Sequence, residues 1–282
     1  MQSTRSAYAI GGIAVIAVVA AALYFWQRDK DVAPAATSAP EIALKPAAAP
    51  PQASAPRHHY PIDPGLAAGS SAAAFDVQKA LEDLFGLNTV QSLFRLDDFP
   101  RRLASTIDNL GRSHAPPALW PVQPAGGRFA VEERDGATFI GADNGLRYTP
   151  YVLLLETVDL RQAVGIYARI YPSLQRAYEE LGYPGSYLND RLVQVIDLLL
   201  ATPEIDAPLA VHLPPIEGPI RPQRPWLLYE FVDPNLQSLT SGQKALLRTG
   251  SINERRIKTR LAEIRRLVTT MPRTGGTRAP KK

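Results

Sequence analysis

Residues 159–202, DLRQAVGIYARIYPSLQRAYEELGYPGSYLNDRLVQVIDLLLAT, constrain the fold more than any other stretch of this chain. Leu160, Ala163, Val164, Tyr167, Ile170, Tyr171, Leu174, Ala177, Tyr178 and Leu181 recur at three- and four-residue spacing. That spacing stacks them on one stripe of a long helix. Asp159 followed by Gln162 predicts a capping box at its start. Gly182 tolerates the left-handed conformation that ends a helix. Tyr183-Pro184-Gly185-Ser186 fits a type II turn, with Pro presetting φ and Gly accepting a positive one. Ser186 is then expected to cap a second helix with apolar face Leu188, Leu192, Val195, Ile196 and Leu199, stopped by Pro203. The two helices make a hairpin whose apolar faces must be buried by the rest of the chain.

Upstream, residues 8–26 run nineteen positions without a charge. That is close to the roughly 20 residues a helix needs to cross about 30 Å of hydrocarbon. Tyr24 and Trp26 stand at its end, where aromatic side chains favour the interface. A cleaved signal peptide ending near Ala20-Ala21-Ala22 is the competing reading. The apolar run continues through Leu23, Tyr24, Phe25 and Trp26, which suits an anchor. Arg5 precedes the span; Arg28 and Lys30, interleaved with Asp29 and Asp31, follow it. The charge count therefore sets no orientation. The short tail of residues 1–7 is the usual shape of a signal anchor, which places the remainder outside the cytoplasm of a bacterium, at the inner membrane facing the periplasm.

Residues 27–71 form an Ala/Pro-rich linker with too few large apolar side chains for a core. Such chain favours an extended conformation of about 3.1 Å per residue. His58 and His59 lie within it. Residues 72–270 form the globular part, and 271–282 a basic tail. Short helices are expected over 74–85, from an Asn88 cap with Gln91, and from Asp97 through Leu110. Trp120 pins a Pro-rich loop. Asp135-Gly136 between two strand-like runs predicts a β-hairpin that needs a helix over one face. Thr149-Pro150 starts a central helix, and residues 204–225 read as a Pro-rich surface excursion. Trp226 to Val232 suits a strand or an extended core segment, Asp233-Pro234 a helix, and Thr240 with Gln243 a capping box. Ser251 with Glu254 predicts a capping box for a last helix with buried stripe Ile257, Leu261, Ile264 and Val268. The class is therefore mainly α: a multi-helix domain on a long helical hairpin, with one small β-hairpin, preceded by a single transmembrane helix.

Chemistry is less visible. The chain has no cysteine, which excludes disulfides, zinc thiolates and thiol catalysis. A net charge of +4 over 282 residues is too weak to argue nucleic acid. No metal, nucleotide or nucleophile-elbow motif occurs, so no catalytic, cofactor-binding or metal role is assigned to any residue. Tyr183, Tyr187, Asn189, Asp190 and Arg191 around the turn are candidate partner-binding residues, with Arg255 and Arg256 on the last helix. That helix carries Arg255, Arg256, Lys258, Arg260, Arg265 and Arg266, a basic face suited to an acidic surface. Glu179 and Glu180 oppose the dipole of their helix, a cost of about 0.3–1 kcal/mol each. With Asp190 they could do acid–base work in an envelope hydrolase acting on glycan or peptide. The other reading is a turn whose polar groups tie two helices together.

The sequence resembles the bacterial family of domain of unknown function 3014, from about Leu81 to Val268. The resemblance is densest in Ala177 to Glu204, in Leu228 to Gly250, and in TIDNL (Thr106 to Leu110) with LWPVQP (Leu119 to Pro124). The Pro-rich PPIEGPIRPQRP before Trp226 departs from it. The resemblance implies an N-terminal span, a low-complexity linker and this domain. It brings no activity, cofactor or catalytic residue. The expected role is a non-catalytic binding or scaffold module whose partners are the membrane, through residues 8–26, and an envelope protein or wall polymer.

Overall fold

The computed structural model describes residues 60–62, 75–215 and 224–270. The span at 8–26, most of the linker, the histidine pair and the basic tail lie outside the described residues. Among the described residues, no helix is long and apolar enough to cross a membrane. The body is mainly helical, with a small antiparallel hairpin as expected.

Three short helices lead in: α1 (Val77–Phe85), α2 (Leu87–Leu93) and α3 (Phe99–Leu110). Asp76 caps α1 by accepting from the Lys79 amide. Phe99, Leu103, Ile107 and Leu110 are buried together, so the period read from the sequence is the face that packs. One expected cap fails and one helix start shifts. Gly86, at φ 79°, leads directly into α2, which leaves Asn88 inside the first turn. Asp98 rather than Asp97 flanks α3, in the left-handed conformation.

Helix α4 (Thr149–Thr157) is less enclosed than expected, since Leu153 is 47% exposed. The hairpin is α5 (Leu160–Glu180) and α6 (Leu188–Leu200). Asp159 caps α5, accepting from the Arg161 and Gln162 amides. Every expected stripe residue of α5 through Tyr178 is buried, as is the whole predicted face of α6. Pro172 sits inside α5, where it removes the bond that the Ala168 carbonyl would receive. The turn forms as expected: Ser186 N donates to the Tyr183 carbonyl at 3.1 Å, and Gly185 has φ 77°. Ser186 does not cap α6. The Gln175 side chain reaches across from α5 instead, accepting from Leu188 N at 2.9 Å and donating to the Ser186 carbonyl at 2.7 Å.

Strands β1 (Val131–Arg134) and β2 (Ala137–Ile140) pair with Arg134 opposite Ala137. Asp135 and Gly136 both have positive φ, 49° and 76°, the signature of a type I′ turn. The expected covering helix over this hairpin is replaced by a second ladder. Strands β3 (Val211–His212) and β4 (Glu230–Phe231) pair with each other, and Ile140 N donates to the Leu209 carbonyl. Phe129, Val211, Phe231 and Leu247 form a small separate core beneath them. Residues 209–212 of the expected surface excursion are therefore structural, with His212 in strand β3.

Three helices close the chain: α7 (Pro234–Gln237), α8 (Ser241–Arg248) and α9 (Ser251–Thr269). Thr240 and Gln243 form the reciprocal box predicted for α8. All eight residues of α8 are buried, including Lys244 and Arg248. Its first turn docks on the end of α3: Ser241 N donates to the Arg112 carbonyl at 2.6 Å, and Ser241 Oγ to that of Asn109 at 2.7 Å. Gly242 permits that approach, because a Cβ there would lie 2.9 Å from the Leu110 carbonyl oxygen. The expected Ser251 box does not form. Gly250, at φ 86°, precedes α9, and Glu254 is buried against Lys258 at 3.0 Å. The stripe Ile257, Leu261, Ile264 and Val268 is buried on α4, α5 and α6.

Candidate functional site

The turn between α5 and α6 gathers its polar groups inward, onto a residue the sequence reading missed. Asp108, on α3, is 6% exposed. Its carboxylate takes Arg191 Nε at 3.1 Å, Arg112 Nε at 2.8 Å and the Tyr183 hydroxyl at 3.1 Å. Arg191 Nη2 also donates to the Asp108 carbonyl at 2.9 Å. Arg112 reaches the Tyr183 hydroxyl as well, and Asp108 raises the pKa of that guanidinium through their hydrogen bond. The Tyr183 ring stacks on Tyr178, with centroids 4.7 Å apart. Tyr183 and Arg191 thus staple the hairpin to α3. A buried carboxylate with two guanidiniums and a phenol is compensated rather than poised for chemistry.

Asn189 and Asp190 turn to a different partner. Asn189 is fully buried, and its Nδ2 donates to the carbonyls of Tyr60 at 2.8 Å and Val268 at 3.2 Å. Asp190 Oδ1 accepts from the Tyr60 amide at 2.9 Å. Tyr60 and Ile62 belong by composition to the linker, yet Ile62 is 5% exposed within the main core. Tyr187 is half-buried and flanks α6. Glu179 and Glu180 are exposed at the end of α5; Glu179 accepts from Gln175 Nε2 at 2.9 Å.

The basic face of α9 is largely neutralised within the fold. Arg255 pairs with Asp206 at 3.1 Å, and Arg256 with Glu156 through Nε at 2.6 Å. Lys258 meets Glu204 and Glu254, Arg260 pairs with Glu263, and Arg265 pairs with Asp197. These acids lie mainly on other elements, so much of the basic charge of α9, that of Arg255 and Arg256 included, is paired within the fold. Arg266 is different. It has no ion pair among the described residues, and it faces a groove of about 910 Å³ between α1, α5 and α9.

Arg161 stands on the opposite wall, also without an ion pair among the described residues. Arg169 lies over the Phe75 ring at 4.7 Å from its centroid. Lys79 pairs with Asp83 at 3.4 Å, and Asp76 is spent on capping α1. Phe75, Ala80 and Leu267 give the groove an apolar floor. Gly165 of α5 is exposed there, with nothing within 4 Å of where a Cβ would stand. Glycine inside a helix costs about 1 kcal/mol against alanine. Among the described residues nothing requires it.

A profile of the family described as Protein of unknown function (DUF3014) matches residues 99–265. The chain belongs to this family. The matched span holds Asp108, the turn, α8 and most of α9, and leaves α1 and the Tyr60–Ile62 segment outside it. No curated protein and no solved structure matches the chain.

A cavity of about 40 Å³ lies between α3, α5, α6 and α9, lined by side chains such as Leu103, Ile107, Val195 and Leu261. It has room for about one water and almost no polar lining to hold it. Among the described residues no group of three or more acidic or histidine side chains is placed to hold a metal.

Proposed function

We propose that this chain is a tethered, non-catalytic binding or scaffold module of the bacterial envelope. In this reading residues 8–26 anchor it in the inner membrane and residues 27–71 space it from the bilayer. The helical body engages a partner on the periplasmic side. The groove between α1, α5 and α9 carries the reading. Elsewhere most of the candidate charges make internal contacts; here Arg161 and Arg266 face an apolar floor without ion pairs among the described residues. Unpaired guanidiniums beside apolar surface suit a protein segment with acidic and apolar side chains, because the arginine fork matches carboxylate geometry. The open backbone at Gly165 lets such a segment come close to α5.

The hydrolase reading through Glu179, Glu180 and Asp190 has less behind it. One oxygen of Asp190 already holds the Tyr60 amide, and one of Glu179 accepts from Gln175. Glu180→Gln and Asp190→Asn test it: loss of turnover of wall fragments would revive it.

The absence of cysteine allows a direct test in cells. A photo-crosslinker attached at Gly165→Cys in the full-length chain should capture an envelope protein. The same probe at Asp143→Cys, away from the groove, should not. Arg161→Glu with Arg266→Glu should remove the crosslink while leaving the melting temperature within a few degrees. A crosslink unchanged by the double substitution would overturn the assignment of the groove. A maleimide that cannot cross membranes, applied to Ser54→Cys in intact and lysed cells, tests the orientation separately; labelling only after lysis would place the body in the cytoplasm.

A further inference from the structure

We infer that the first turn of α6 and the last turn of α9 form a peptide-reading site, which the chain fills with its own Tyr60-Pro61-Ile62. The grip on Tyr60 is made by side chains on both sides of its backbone. Asp190 Oδ1 takes its N–H at 2.9 Å, and Asn189 Nδ2 takes its carbonyl at 2.8 Å. An amide and a carboxylate placed this way recognise the backbone of a residue whatever its side chain.

The grip is set by contacts that do not involve the segment. Asn189 Oδ1 accepts from the Tyr167 hydroxyl at 3.3 Å, and its Nδ2 also donates to the Val268 carbonyl. These two bonds fix which way the amide points. The backbone donors of the same turn are satisfied from α5: Leu188 N by Gln175, and Asn189 N by the Tyr171 hydroxyl at 3.4 Å. From this turn the side chains of Asn189 and Asp190 reach the segment. Tyr167 and Tyr171 are both buried, and burial raises their hydroxyl pKa values, that of Tyr171 to about 12, so both stay protonated, Tyr167 donating to Asn189 and Tyr171 accepting from its amide.

Sequence preference comes from the neighbours. Ile62 is buried in the main core, and the Tyr60 phenol lies beside the Arg265 guanidinium, which Asp197 holds. Pro61 between them favours the extended form and brings no N–H that would need a partner. The site thus takes an aromatic–proline–aliphatic segment. Occupied in cis, it fixes the point at which the tether meets the body. It does not depend on the groove, which α6 does not line.

The test uses the full-length chain. Tyr60→Gly with Ile62→Asp vacates the site, and the probe is a fluorescent synthetic peptide copying residues 56–66. Anisotropy should show binding to the vacated chain at least tenfold tighter than to the unaltered one, whose own segment competes. Adding Asn189→Ala should abolish it. Equal affinity for both chains, or binding indifferent to Asn189→Ala, would overturn the inference. Amide exchange gives a second reading that needs no vacated variant. The Tyr60 amide should be protected in the unaltered chain and lose at least tenfold of that protection in Asp190→Ala. An exchange rate unmoved by Asp190→Ala would equally sink it.

Discussion

Lys244 is 2% exposed in α8, and its ammonium is pushed from the ordinary 10.5 down to about 8, by burial first and then by the Arg248 guanidinium. Its Nζ donates to the Gln237 carbonyl at 3.1 Å. Between the two pKa values the unfolded chain binds the proton more readily than the folded one. Stability owed to this residue therefore rises as the pH climbs from about 8 to about 10.5. At about 1.36 kcal/mol per pKa unit, the charge costs about 3 kcal/mol at neutral pH and about 1.4 kcal/mol near pH 9.5. Lys244→Met keeps the apolar stem and removes the charge. It also loses the bond to Gln237, a cost of about 1–3 kcal/mol that changes little with pH. The difference in unfolding free energy between variant and parent should thus shift by about 2 kcal/mol across that interval, favouring the variant more at pH 7. Urea unfolding of both chains at the two pH values measures it, and taking the difference cancels every other titration. A difference flat with pH to within about 0.5 kcal/mol would show that Lys244 keeps its ordinary pKa in the fold, and would refute the reasoning.

Two glycines should respond in opposite directions to the same substitution. Gly242→Ala drives a Cβ to 2.8 Å from a Leu199 methyl and 2.9 Å from the Leu110 carbonyl oxygen, and should cost about 1–3 kcal/mol in chemical unfolding. Gly165→Ala meets nothing within 4 Å and should stabilise by about 0.5–1 kcal/mol in the same assay. Asp108→Asn leaves Arg112 and Arg191 facing a neutral amide, and should lower stability by about 3 kcal/mol with a matching fall in melting temperature. Gln175→Ala removes the cap that α5 lends to α6 and should cost about 1 kcal/mol; amide exchange at Leu188 should rise with it.

What the sequence disclosed was periodic or local. The stripes of α5, α6 and α9 need only a 3.6-residue repeat, and Asp135-Gly136 carries its turn in two residues. Thr240 and Gln243 lie three apart and bond each other. The failures come where a distant group or a backbone turn takes over a local role. Ser186 was a sound cap on local grounds, but Gln175 on the neighbouring helix does the capping. Gly86 and Gly250 turn the chain into their helices at positive φ, which moves Asn88 and Ser251 inside the first turn. Asp108 gave no signal because Arg191 and Tyr183 stand 83 and 75 residues away. The basic run of α9 looked free for the same reason: Glu156, Asp197 and Asp206 reach it only through the fold. Of the candidate turn, Asn189 and Asp190 both bond Tyr60 within the fold. That they hold Tyr60 could not be read from a Pro-rich stretch 130 positions upstream.

The burial of α8 bears on when this protein can fold at all. The carbonyl of Asn109 at the end of α3 waits for Ser241 Oγ, 132 residues later in the chain. A growing chain stopped before Ser241 has α3, α5 and α6 but not the helix that seals them. Its apolar faces must remain open until nearly the whole body has been synthesised. Closure then depends on a contact of long sequence separation, the kind that slows folding. Nascent chains halted before residue 241 should accordingly recruit chaperones or resist compaction, whereas chains extended past α9 should snap shut as one unit.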